Sequence, residues 1–187
     1  MTALRGILPN MSLEEVEISQ LRATAHPLRL QMLSLLTGDE LSAAQVAREL
    51  GTTQANASYH LRLLEAAGLL EVAGEEHVRG GRAKKYRHRW DAPPVASEGS
   101  DSDRDAAVRT MAAAIPARFA HRERGSRGLF TDAELWVAPE TWARVLELVT
   151  EASRLLHAEA LPPHAAGTLR ANLSVAAFRL ADGTEQD

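Results

Sequence analysis

Apolar residues in the first half of the chain recur at helical spacing and are punctuated by glycine. Leu28, Met32, Leu33 and Leu36 fall on one face of a helix that Pro27 opens and Gly38 ends. Ser19 is placed to cap a shorter helix over Gln20–Ala25. Ser42 is placed to N-cap Ala43–Leu50, with Val46 and Leu50 turned inward, and Gly51 supplies a left-handed stop. Thr53 caps a further helix that runs to about Ala67, buries Ala57, Leu61 and Leu64, and stops at Gly68. The period then shortens. Leu69, Leu70 and Val72 begin a strand, a turn falls near Gly80 and Gly81, and Lys84–Trp90 returns as a second strand.

Residues 91–102, DAPPVASEGSDS, are rich in Pro, Ser and acid and read as a linker. Helical spacing resumes with Ala107, Val108, Met111, Ile115 and Phe119, and Pro116 is expected to kink or interrupt that helix. Leu129–Val137 reads as a short strand. Pro139 opens a long helix carrying Trp142, Val145, Val149, Ala152 and Leu156, and Leu169, Ala171, Leu173, Val175 and Ala177 then alternate as a one-sided strand. The phase slips at Phe178, as at a bulge. The pattern therefore predicts a mainly helical α+β chain in four parts. These are an arm over 1–18, a helical core with a hairpin over 19–90, a linker over 91–102 and a smaller α/β region over 103–187.

Composition narrows the chemistry. The 187 residues include no cysteine, which excludes disulfides, thiolate metal sites and cysteine nucleophiles and fits a reducing cytosol. The opening MTALRGILPN lacks a basic region followed by an apolar stretch, and no segment has the ~18 apolar residues of a membrane span. A cytoplasmic protein without a membrane partner is expected. Aromatic content of 4% leaves Leu, Val and Ala to build the cores. The net charge of −4 divides unevenly: residues 1–20 carry −2, residues 21–90 carry +3 and residues 91–187 carry −5. Within 77–90 there are six Arg or Lys and no acid. Exposed charges beyond a Debye length of ~10 Å are largely screened, so the local basic run matters more than the negative total.

That run lies beside a helix with a polar face. In the Thr53–Ala67 helix, Gln54, Ala55, Ser58, Tyr59 and Arg62 lie together, opposite the apolar row. A helix fits the ~12 Å major groove of duplex DNA, where Gln can pair with adenine, Arg with guanine, and Ser with a base or a phosphate. Thr53 and the free N–H groups at the helix start suit a phosphate oxygen. Such a face alone is also what any solvated helix shows; the basic hairpin with Arg79, Arg82, Lys84, Lys85, Arg87 and Arg89 is what points to DNA. Alternate strand residues share a face, so Arg79 and Arg82 with one of Lys84 or Lys85 are expected to reach phosphate.

Residues 20–90 resemble the winged helix-turn-helix of the ArsR/SmtB family of bacterial transcription regulators. ATAHPLRLQMLSLL, LSAAQVARELG, SYHLRLLEAAGLLE and GGRAKKYR carry the resemblance. It implies that Ala43–Leu50 is a bracing helix, Thr53–Ala67 a recognition helix and Val72–Trp90 the wing, in a homodimer that more often represses than activates. His60 falls on the family's motif histidine, next to the core, and reads as structural. Metal-sensing members use cysteines near the bracing helix or carboxylate and histidine ligands on terminal helices. Here Leu41, Ser42 and Ala43 stand at the former positions, and His121/Glu123 and His157/Glu159 are two residues apart, pointing away from each other on a helix. Neither a metal nor another cofactor is implied.

The second half has no GxSxG, glycine-rich phosphate loop or HExxH, so an enzyme is not expected. Trp136, Trp142 and Phe178 are candidates either for the lining of a small-molecule effector pocket or for a dimer core. The leading expectation is a homodimeric regulator bound to double-stranded DNA; the alternative is a protein-interaction module built on a winged helix that does not read DNA.

Overall fold

The computed structural model describes residues 20–78, 81–91 and 100–181. Its elements are α1 (20–24), α2 (Pro27–Thr37), β1 (Leu41–Ser42), α3 (Ala43–Glu49), α4 (Gln54–Ala66), β2 (Leu70–Val78), β3 (Gly81–His88), α5 (Asp101–Ala120) and α6 (Pro139–Ala158). The boundaries are set by local chemistry. His26 Nδ1 accepts the Leu28 N–H at 3.2 Å ahead of Pro27, which has no N–H to satisfy. At the start of α3, Gln45 Oε1 accepts both the Ser42 N–H, at 2.8 Å, and the Ser42 hydroxyl, at 2.9 Å. Thr53 Oγ1 accepts the Asn56 N–H at 3.2 Å and caps α4.

Two glycines end α3 and α4 in the same way. Gly51 (φ 62°) and Gly68 (φ 73°) occupy the left-handed region. Beyond them, Thr52 N–H donates to Ala47 O at 2.9 Å and Leu69 N–H donates to Leu64 O at 3.0 Å. Both closures are Schellman motifs, in which a residue with a Cβ would be strained. The first fixes the turn between α3 and α4. The second aims the chain into β2.

The sheet is antiparallel, in the order β1-β3-β2. β1 pairs Leu41 with Tyr86 and Ser42 with Lys85, and β2 meets β3 from Leu70↔His88 to Val78↔Gly81 with a bulge between Val72 and Gly74. The core comprises Met32, Leu33, Leu36, Leu41, Val46, Ala47, Ala57, Leu61, Leu64, Leu70 and Tyr86. Burying each of the larger side chains is worth roughly 1.5–3 kcal/mol. This half is closed around its own core.

The second half attaches at several places, among them His164, whose Nε2 lies 3.5 Å from Glu49 of α3. Near the start of α5 the buried Asp103 meets Arg22 at 3.4 Å and accepts the Ser100 hydroxyl at 2.7 Å. Near the end of α6, His157 lies 6.0 Å from His88 and 6.2 Å from Trp90, ring centre to ring centre. Beyond α6, the Leu161 carbonyl approaches Gly38 so closely that a Cβ at Gly38 would stand 2.2 Å from its oxygen. Glycine is required there for close approach.

Several expectations are revised. α5 continues through Pro116 without interruption and begins at Asp101, within the segment expected to be linker. The helix is exposed around Ala112, so the carbonyl that loses its bond to Pro116 faces water. β1 was not expected, because a two-residue strand is defined by its partner and not by its own sequence. Leu129–Val137 and the Leu169–Ala177 alternation are extended but form no ladder among the described residues, so neither is a strand of a sheet in the single chain. Ser19, the 1–18 arm, and positions 92–99 of the linker lie outside the described residues.

Candidate nucleic-acid interface

α4 divides its two sides sharply. Ala57, Leu61 and Leu64 have no accessible surface, whereas Gln54, Ala55, Tyr59 and Arg62 are exposed and Ser58 is half-buried. The α3–α4 turn, held by Gly51, presents the beginning of α4 outward, with Thr53 exposed at its cap. Asn56 joins the same exposed turn and donates its amide to Thr52 Oγ1 at 2.9 Å. The sequence reading omitted Asn56; an amide side chain two residues after Gln54 in the first helical turn was the available signal. Arg62 lies back along its own helix, its Nε donating to Ser58 O at 3.2 Å. A single-bonded guanidinium on an exposed face can swing outward at little cost.

His60 sits on the buried side of α4, 4.7 Å from the His26 ring, with Tyr59 edge-on at 5.1 Å. Its Nδ1 has no partner among the described residues. Burial pushes the imidazole below the usual histidine range, and His26 and Arg29 beside it push the same way. A neutral packing group fits this place.

The wing is less free than its composition suggests. Arg82 Nε meets Glu75 at 2.7 Å, Lys84 Nζ meets Glu65 of α4 at 3.1 Å, and Arg87 Nε meets Glu71 at 3.0 Å, with Arg89 at 3.9 Å from the same carboxylate. The hydrogen bond and charge of Glu65 hold the Lys84 ammonium above its usual range. The acids come from β2 and α4, which the basic run 77–90 faces only in the fold. Lys84 shares a face with buried Tyr86, and Lys85 points to the other side, with no ion-pair partner among the described residues. Arg79 lies outside the described residues.

A family model described as a helix-turn-helix domain matches residues 24–73, which run from the end of α1 into β2. Residues 24–73 are a helix-turn-helix domain. With β2 and β3 behind it, the domain is a winged helix. No curated protein is significantly similar to the chain. Among solved structures, a fragment (residues 1–100) of a possible transcriptional regulatory protein from Mycobacterium bovis is 25% identical over 55% of this chain and 91% of its own, with a TM-score of 0.32. Reduced HlyU from Vibrio cholerae is 21% identical over 57% of this chain and 90% of its own, with a TM-score of 0.35. A solution structure of a homodimeric winged helix-turn-helix DNA-binding domain from Mycobacterium bovis, described as a possible ArsR-family regulator, is 22% identical over 67% of this chain and 100% of its own, with a TM-score of 0.36. These scores are low, so the helix-turn-helix assignment rests on the family match and on the geometry of α3 and α4.

The three aromatics of the second half do not converge in the single chain. Trp136 is 91% and Phe178 63% exposed, and Trp142 is half-buried on α6. An open groove of about 520 Å³ runs along α6 between Ala143, Leu146, Thr150 and Arg154 and includes none of them. No helix among the described residues is long and apolar enough to cross a membrane.

Proposed function

We propose that the protein is a sequence-specific DNA-binding transcription regulator of ArsR-like type, acting as a homodimer and repressing by occupying its operator. The observation that carries this reading is the outer face of α4, where Gln54, Ala55, Tyr59 and Arg62 are exposed in the second helix of a helix-turn-helix domain with a basic wing beside it. Gln54 and Arg62 are the base-reading side chains; Ser58 and Tyr59 contribute contacts to base edges or phosphates. Thr53 and the N–H groups of the first turn of α4 bind phosphate, as do Arg79 and Arg82 of the wing with one of Lys84 or Lys85. The second half holds two copies together and, in the finer form of this reading, takes up a non-metal small molecule that changes DNA affinity.

Selection of duplexes from a random library by the full-length chain tests the proposal. It is expected to enrich inverted repeats with half-sites about one helical turn apart, ~34 Å. Binding should weaken steeply between 50 and 200 mM salt. Affinity indifferent to salt, or to Gln54→Ala with Arg62→Ala, would overturn it. The ion-paired wing lends some support to a second reading, a protein-interaction module that does not read DNA. Exposed pairs contribute little and exchange readily for phosphate, so the wing's pairing does not displace the first.

A further inference from the structure

We propose that the second half is completed by a second copy of this chain, through exchange of strands: the extended segment 129–138 of one protomer pairs with the extended segment 169–180 of its partner, and the reverse pair forms at the same time. This deepens the homodimer of the preceding reading and specifies what builds it, without needing the duplex.

The two halves of the chain differ in how they treat apolar surface. Every buried hydrophobic among the described residues lies between Met32 and Tyr86, and α6 buries none of its residues. Leu129 is 88%, Trp136 91% and Leu169 83% exposed. Their backbones are almost as unpartnered: among the described residues, the two extended segments make one backbone–backbone hydrogen bond, where Ala138 O accepts the Trp142 N–H at 3.0 Å in the first turn of α6. Unpaired N–H and C=O rows flanked by exposed Leu, Trp, Val and Phe are open strand edges, which a lone chain does not keep at no cost.

Orientation strengthens the case. Arg118 of α5 donates to Asn172 Oδ1 at 3.1 Å and to Ser174 Oγ at 3.5 Å, so the polar side of the second segment is turned toward its own chain. The alternate row of Leu169, Leu173 and Val175 is left facing outward. Phe130 of the first segment stands edge-on to Phe119 at 5.7 Å, which pins it to the same end of α5. Each protomer thus displays both edges at one place.

Charge says which edge meets which. Residues 129–138 contain Asp132 and Glu134 and no base, whereas residues 169–180 contain Arg170 and Arg179 and no acid. Like segments would repel, and unlike segments attract. Under a two-fold axis an acidic edge meets a basic edge twice, and the assembly closes at two copies. The area is sufficient as well. The chain exposes 14923 Å², against roughly 9,000 Å² for a compact monomer of its mass. Granting the residues outside the description ~1.45 Å² per dalton, and setting the rest against the roughly 7,500 Å² of a compact chain of their own smaller mass, still leaves an excess of roughly 1,500–2,000 Å². One side of a standard interface needs only about 800 Å².

The absence of cysteine makes the test clean. Full-length Thr131→Cys and Ala176→Cys chains, differently tagged and mixed by co-expression, are treated with a thiol cross-linker of ~10 Å reach, which tolerates a shift in register. The expected results are a dimeric mass by light scattering and a covalent heterodimer several-fold more abundant than either homodimer. Arg170→Glu with Arg179→Glu should raise the dimer dissociation constant at least about tenfold. Co-expression with Asp132→Arg/Glu134→Arg chains should restore pairing as a heterodimer. A monomeric mass at micromolar concentration would overturn the proposal. So would cross-links forming only within one Thr131→Cys/Ala176→Cys chain, or a dimer indifferent to the charge reversals. A strand-exchanged dimer that fails to bind DNA would leave this proposal standing and overturn the regulator reading instead.

Discussion

At the scale of single residues, the candidate interface is a competition for cations. Lys84 and Arg82 are each engaged by a carboxylate, Glu65 and Glu75, before any phosphate arrives. Removing such a carboxylate should therefore favour DNA. Glu65→Gln is expected to tighten binding to any duplex roughly two- to fivefold, with the gain shrinking as salt rises; anisotropy titrations at two salt concentrations measure it. Arg62 and Lys85 should separate in kind. Arg62→Ala is expected to cost about 1–3 kcal/mol at the selected sequence and to relax preference at one base position. Lys85→Ala should weaken all sequences alike and reduce the salt slope by about one. Equal effects from both variants would mean that α4 contributes charge and not sequence reading.

At the scale of elements, the joint between the halves carries a titratable pair. The Thr37 hydroxyl lies 2.9 Å from Leu33 O and 2.8 Å from His88 Nδ1, which ties the His88 ring to α2. His157 Nδ1 donates to Ser153 O at 2.7 Å. Burial, with His157 adding to it and Asp91 opposing, pushes His88 down to about 4. Its folded value is depressed below the unfolded 6.5, so the stabilisation is whole above pH 6.5 and is lost as pH falls toward 4. His26 and His60 are shifted in the same direction, chiefly by burial. Between pH 7.5 and 5, His88 alone should remove up to about 2 kcal/mol. Urea midpoints at the two pH values read the loss, and His88→Gln should make it smaller; an unchanged difference would remove His88 from the account.

What was legible in the sequence follows the range of the interaction. Pro27, Ser42, Gly51, Thr53 and Gly68 act on their own turns, and each element boundary they predicted stands where local hydrogen bonds put it. The exposed and buried sides of α4 followed from a 3.6-residue period. The Glu65–Lys84 pair is set by how α4 packs on the hairpin, and the Glu71–Arg87 pair by the register of β2 on β3; neither packing nor register is written in the basic run itself. β1 exists only as a partner of β3. Pro116 shows the converse: a strong local rule gave way because the exposed helix could lose one hydrogen bond and continue on both sides.

At the scale of the whole molecule, the two halves obey different rules, and that difference is testable by cutting between them. The core from Ala23 to Tyr86 draws on no residue beyond 91, and the second half touches it mainly through Arg22–Asp103, His164–Glu49, the tilted His88–His157 contact and the Gly38–Leu161 approach. A fragment spanning residues 1–95 should therefore unfold cooperatively in urea and remain monomeric by light scattering. It keeps α4 and the wing, so it should still bind duplex DNA. One domain neutralises about half the phosphates of two, and the slope of log K against log salt, near −0.9 per phosphate, should fall to roughly half that of the full chain. Preference for a fixed half-site spacing should vanish with it, since spacing is a property of the joined pair. A fragment that matches the full chain in affinity, slope and spacing would show that the second half plays no part in how DNA is bound. A fragment that fails to fold would show that the Arg22–Asp103 and His88–His157 contacts hold the core together rather than merely lean on it.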